Sequence, residues 1–145
     1  MLKAGTCDLS AERFSPNHIS VECFKISFHL NAANAILSII DKDLVEVVDG
    51  VKYPSEEITK GLDKIIDREN FRMSDFKGDD EKIARICAQM VTFIATKSHA
   101  AFCKREGTTP LPYREQVSAW NQELRAVDMT FNRIFTDFGD GKLAV

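Results

Sequence analysis

The sequence predicts an all-α fold, an up-down-up-down bundle of about four helices with a long, doubly apolar first helix. Apolar residues recur at alternating steps of three and four in three long segments, the spacing of helices that pack at shallow angles. Ser, Pro, acidic and Gly residues stand at the ends of these segments, where helices begin and end. The 145 residues suit a single domain over 1–145, with 1–14 and 140–145 as flexible tails.

The first helix is predicted to run from Pro16 to Val48, with Ser15 as its N-cap and Gly50 beyond its end. Its heptad seam is Ile19, Cys23, Ile26, Leu30, Ala33, Leu37, Ile40, Leu44 and Val47. A competing interpretation is a short β-hairpin from Val45 to Tyr53 around Asp49-Gly50. The unbroken heptad favours the helix.

This helix carries a second apolar stripe on its other side, whereas a surface helix normally carries one. The second stripe is Val21, Phe24, Phe28, Ala32, Ala35 and Ile39. A straight helix of this length would measure about 50 Å, more than the roughly 40 Å diameter of such a domain. We therefore expect a protein interface anchored by Phe24, Phe28 and Ile39. The alternative is a helix buried at the centre of a monomer.

Three further helices follow, each with its own start and stop signals. The second opens at Pro54-Ser55-Glu56-Glu57, fades near Asn70 and precedes a loop over 71–78. The third runs from Asp79 to Gly107. The fourth follows Pro112, ends at Gly139 and has the most regular seam, which predicts a core position for Trp120. The apolar positions of these helices are, in turn, Ile58, Leu62, Ile65 and Ile66; Ile83, Cys87, Met90, Ile94 and Ala101; and Val117, Trp120, Leu124, Val127, Phe131, Ile134 and Phe138.

Known catalytic and cofactor motifs are missing from the sequence, so we expect a non-enzymatic protein with no cofactor and no metal. His99 and Cys103 lie four residues apart and share a helix face, yet two ligands do not make a metal site. His29 has no carboxylate at the matching positions of its own helix. The four cysteines form no CxxC pair and are expected to be thiols in a reducing, cytoplasmic compartment.

A candidate anion patch is formed by four basic residues where the third helix ends and the fourth begins: Lys97, Lys104, Arg105 and Arg114. Lysines near a helix C-terminus also simply stabilise the helix dipole. The net charge of −3 does not favour nucleic acid, and no apolar run is long enough to span a membrane.

Three functions follow from these patterns. The first is protein–protein interaction or assembly through helix packing, as a homo-oligomer or on a protein partner. The second is a helical accessory subunit that touches the nucleic-acid backbone through the anion patch. The third is a bundle that binds a small molecule between its helices.

Overall fold

The structure is a computed structural model that describes residues 16–142 and the side chains of 21–142. It is mostly helical, which confirms the all-α class in broad terms, with one small antiparallel sheet. Its elements in chain order are α1 (Pro16–Leu37), β1 (Val45–Val48), β2 (Val51–Pro54), α2 (Glu56–Arg68), α3 (Asp75–Gly78), α4 (Asp80–Glu106) and α5 (Tyr113–Gly139). The expected N-terminal tail over 1–14 lies outside the described residues.

The long first helix is the main error of the sequence prediction. Helix α1 ends at Leu37, and β1 and β2 form the hairpin that was the competing interpretation. Asp49 and Gly50 both have positive φ, 52° and 80°, as a two-residue turn of this kind requires. Asp41 and Asp43 disfavour a helix C-terminus, and the valines that follow suit strands. These local preferences outweigh the heptad over Leu44 and Val47.

Helix α1 buries the stripe that was predicted to face a partner. Phe24, Phe28 and Ala32 are fully buried, whereas Leu30 on the heptad seam is 45% exposed. The Phe24 ring lies 4.6 Å from Phe135 of α5, centroid to centroid, and Phe28 lies 5.0 Å from Phe131. The doubly apolar helix is therefore explained by the core of the chain itself.

The other long helices have the predicted bounds to within a few residues. The 71–78 segment contains the short helix α3, and its Phe71 and Phe76 join the aromatic core. Two contacts in each pair show that neighbouring helices run antiparallel. Lys25–Asp67 and His29–Asp63 join α1 and α2. Arg85–Glu69 and Lys97–Glu57 join α4 to the end and the start of α2. None of the described helices is both long and apolar enough to cross a membrane.

Candidate functional site

A cavity of about 600 Å³ opens between the C-terminal part of α4, the first turns of α5 and the segment that follows α1. We call it the α4–α5 cavity. Its walls are largely apolar, and its volume falls in the range of small-molecule sites. The apolar lining residues are Ile39, Ile40, Ala95, Phe102, Trp120 and Leu124.

Two polar side chains in this lining each have one buried atom without a hydrogen-bond partner. Ser98 and Gln116 are each 8% exposed, and neither Ser98 Oγ nor Gln116 Oε1 makes a hydrogen bond within the protein. The other end of the Gln116 amide is held, because its Nε2 donates to the Leu111 carbonyl at 2.8 Å. A buried polar atom without a partner costs about 1–3 kcal/mol. Both atoms are closed off from a water-sized probe, so they lie behind the cavity wall and not on its surface.

His99 lies beside these groups and is held by its own chain. Its Nε2 accepts the backbone N–H of Leu111 at 2.9 Å and lies 3.4 Å from Cys103 Sγ. An Nε2 that accepts a hydrogen bond carries no proton, so a neutral ring has its proton on Nδ1. The expected proximity of His99 and Cys103 is present, but among the described side chains no three His, Cys, Asp or Glu groups converge on a metal position.

The rim of the α4–α5 cavity carries an ion-pair cluster. The Arg105 guanidinium donates to Asp41 at 2.7 and 3.0 Å and to Asp43 at 2.8 Å. The bonds to Arg105 lower the pKa of Asp41 despite its partial burial, and the two carboxylates raise the pKa of Arg105. Arg105 therefore ties the segment after α1 to the end of α4, and its charge is already neutralised.

Two exposed aromatic side chains border the cavity. Trp120 is 50% exposed and Phe102 is 44% exposed. The predicted core position of Trp120 is wrong, because the backbone leaves helical geometry at this residue, with φ −122° and ψ 23°. The break in α5 turns the indole away from the seam that Leu124 and Val127 continue into the core.

The predicted interface anchors do not form an exposed surface. Phe24 and Phe28 are 0% exposed and Ile39 is 7% exposed, so the expected partner contact through them is corrected. They lie against α5 and the aromatic core because that arrangement removes the larger aromatic side chains from water. Ile39 also forms part of the cavity wall.

The predicted anion patch is not brought together as four free cations. Lys97 lies 3.3 Å from Glu57 of α2, and Arg105 is held by Asp41 and Asp43. Lys104 and Arg114 are exposed. Two of the four charges are thus already paired, which leaves a weaker attraction for an anion than the sequence predicted.

The structure also corrects two side-chain environments. His29 Nε2 lies 2.9 Å from Asp63 Oδ1 of α2, an ion-pair distance, although the orientation does not meet hydrogen-bond geometry. A search along α1 alone misses this carboxylate because it comes from another helix.

Cys87 and Cys103 are buried free thiols as expected, whereas Cys23 is disulfide-bonded, contrary to the expectation of thiols throughout.

Ser98 and Gln116 are the site residues that sequence reasoning missed. Serine and glutamine are ordinary surface residues in helices, and no spacing connects these two positions. A polar residue on the apolar seam of α4 is the only available signal, since Ser98 follows Ile94 at a helical step of four.

Comparison of the chain with protein-family models, curated proteins and solved structures finds no match.

Proposed function

We propose that the chain is a helical binding protein that holds a small, largely apolar molecule in the α4–α5 cavity. The observation that carries this proposal is the cavity itself, about 600 Å³ with a mainly apolar lining that also includes the buried polar residues Ser98 and Gln116. Ligand sites commonly combine apolar walls with a few polar groups that orient the ligand. Small-molecule binding was the third of the three functions predicted from the sequence. The first, protein–protein interaction, loses its main support because Phe24 and Phe28 are buried in the core.

Binding of Nile red, a neutral apolar dye, tests this proposal. We expect saturable binding at one site, read from dye fluorescence and from a change in the emission of Trp120. Ala95→Phe adds a ring to the cavity wall and should weaken binding by about tenfold or more, equivalent to about 1.4 kcal/mol. Circular dichroism and thermal melting verify that the variant is folded.

Ala88→Phe is the matched control. Ala88 lies on the same helix but lines a separate, more open groove with Val117 and Met129. This substitution should leave dye binding unchanged. Equal binding by wild type and a folded Ala95→Phe variant, or no saturable binding at all, contradicts the proposal.

Self-association is a second candidate, and the hairpin favours it. Val47, Val48 and Val51 are 63%, 48% and 51% exposed, and within residues 16–142 no further strand pairs with either edge of the two-stranded sheet. A second copy could extend this sheet across a twofold axis and cover the valines. Sedimentation equilibrium should detect a dimer that Val48→Lys with Val51→Lys dissociates. A wild type that stays monomeric at about 100 µM, a concentration well above the Kd of a stable dimer, contradicts it.

Four other predictions from the sequence concern the helix order, the lack of enzymatic activity, nucleic-acid contact and the cellular location. We infer the up-down-up-down order of the four long helices, supported by the antiparallel registers of α1 with α2 and of α2 with α4. A non-enzymatic role stays a prediction. Nucleic-acid contact is weakened by the pairing of Lys97 and Arg105 with carboxylates. A reducing, cytoplasmic location stays a prediction.

A further inference from the structure

We infer that the connection between α4 and α5 is a pH-sensitive latch, which neutral His99 holds closed and which protonation of His99 releases. This connection comprises residues 107–112, and we call it the α4–α5 loop. The inference goes beyond the proposed function and involves no ligand. It depends on how the loop is held, on which nitrogen of His99 holds it, and on the charges nearby.

The middle of the α4–α5 loop is held by side-chain bonds. Its two ends are bonded to backbone: the Thr108 N–H donates to the Cys103 carbonyl, and the Pro112 carbonyl accepts from two backbone N–H groups of α5. Between these ends, in the part of the chain that the structure describes, the hydrogen bonds of the loop are those of Leu111. The Leu111 side chain is 48% exposed, so apolar burial adds little to the hold.

Leu111 is bonded to both neighbouring helices. Its N–H donates to His99 Nε2 on α4 at 2.9 Å, and its carbonyl accepts from Gln116 Nε2 on α5 at 2.8 Å. The adjacent Pro110 and Pro112 have no N–H, so neither can replace the donor to His99. Both His99 and Gln116 line the α4–α5 cavity, so release of Leu111 also frees two side chains of the cavity wall.

Protonation of His99 removes the acceptor that holds Leu111. A ring nitrogen accepts a hydrogen bond only without a proton, and the imidazolium has an N–H at both positions. Nε2–H would then face the Leu111 N–H, donor against donor, and the Cys103 thiol, 3.4 Å from the same nitrogen, would lose its acceptor too. Histidine is the side chain whose charge changes between about pH 5 and 8. The closed loop binds fewer protons than the open loop, so closure is favoured at high pH and weakens on acidification.

The ionisable groups that share the cavity with His99 do not compensate for this loss. The segment after α1 contributes Asp41 and Lys42, and α4 contributes Arg105. Helix α5 lines the cavity with side chains that do not titrate, and the α4–α5 loop has no ionisable side chain. Arg105 already binds Asp41 and Asp43, so neither carboxylate is free to hold a protonated His99 in place of Leu111.

Nuclear magnetic resonance of the nitrogen-15-labelled protein between about pH 8 and pH 5 tests the latch. At the upper pH we expect the ring signals of His99 to show the proton on Nδ1. On acidification the Leu111 amide signal should shift with the same midpoint as the His99 ring. After correction for the intrinsic pH dependence of exchange, its protection against exchange with water should fall about tenfold or more, equivalent to about 1.4 kcal/mol.

His99→Gln is the decisive variant, because glutamine supplies an acceptor close to the position of Nε2 and does not titrate. Protection of the Leu111 amide should then no longer depend on pH. His29→Gln is the matched control, since His29 lies against Asp63 of α2 and makes no contact with the loop. This control should follow the wild type, and circular dichroism verifies that both variants are folded at each pH.

The outcomes decide the latch without reference to dye binding. A His99 ring with its proton on Nε2 at pH 8, or a Leu111 amide that does not respond to the charge of His99, overturns the inference. So does a loss of protection in folded His99→Gln as large as in the wild type. PH-independent protection in His99→Gln, with the wild-type response retained in His29→Gln, supports it.

Discussion

Trp120 stands at a break in α5, and its exposure follows from its backbone. A seam along a helix stays continuous only while the dihedral angles remain helical. At φ −122° and ψ 23° the chain departs from them, and the indole lies half-exposed beside the α4–α5 cavity. Leu124 and Val127, further along α5, are buried as the regular pattern requires.

Replacement of Trp120 therefore separates a surface role from a core role. We expect Trp120→Ala to change the free energy of unfolding by less than about 1 kcal/mol, as for other exposed positions. Phe131→Ala on the same helix should cost about 3–5 kcal/mol because its ring is fully buried. Denaturant melts measure both. Iodide should quench the emission of Trp120 efficiently, and a shielded, blue-shifted emission would contradict the exposed position.

At the scale of elements, α2 and α4 meet through a glycine. Gly61 lies inside α2, where glycine normally weakens a helix by about 1 kcal/mol relative to alanine. The structure gives its reason: a Cβ at Gly61 would overlap the ring of Phe93 on α4. Phe93 is partly buried and packs against the core through this gap.

Gly61→Ala thus has two opposed effects, and a double-mutant cycle separates them. With Phe93 present, the overlap displaces the ring, so the variant should be no more stable than wild type. In a Phe93→Ala background, Gly61→Ala should stabilise by about 1 kcal/mol, the full gain in helix propensity. Chemical denaturation of the four proteins gives the coupling. If Gly61→Ala has the same effect in both backgrounds, the close approach of α2 and α4 is wrong.

At the scale of the whole molecule, Arg105 connects segments that lie far apart in the sequence. Its bonds to Asp41 and Asp43 fasten the segment between α1 and the hairpin to the C-terminal end of α4. The same bonds close one side of the α4–α5 cavity. The tie depends on pH, because the hydrogen bonds from Arg105 lower the pKa of Asp41.

The ion pair between Arg105 and Asp41 should contribute to the free energy of unfolding at neutral pH, and this contribution should be lost in acid. The folded pKa of Asp41 lies below its unfolded value, so the unfolded chain binds the proton more readily. The contribution is complete above the unfolded pKa and falls away from about pH 5 downwards. Asp41→Asn should therefore destabilise most at pH 7, with the difference from wild type narrowing on acidification.

Thermal or urea melts at several pH values measure the difference. Glu123→Gln is the control, since Glu123 is an exposed carboxylate on α5. It should follow the wild type across the range. A destabilisation by Asp41→Asn that is constant with pH would mean that its ion pair with Arg105 does not contribute.

The sequence by itself determined the helices whose ends carry local signals. The bounds of α4 and α5 follow from Asp79, Pro112 and the glycines near their ends, because caps and breakers act within a few residues. Helix α2 begins after Ser55 as predicted, although the Ser55 side chain makes no capping hydrogen bond. The hairpin was also visible as Asp49-Gly50 between valines. It was rejected because an apolar heptad over Leu44 and Val47 fits a helix equally well at this length.

Only the tertiary structure decided which stripe of α1 is buried and where the site lies. Both stripes are apolar, so the choice depends on which one meets the rings of α5, a contact between segments about a hundred residues apart in sequence. Ser98 and Gln116 likewise become a candidate site because two helices bring them to one cavity. Burial is a property of packed neighbours, and neither residue type nor local spacing records it.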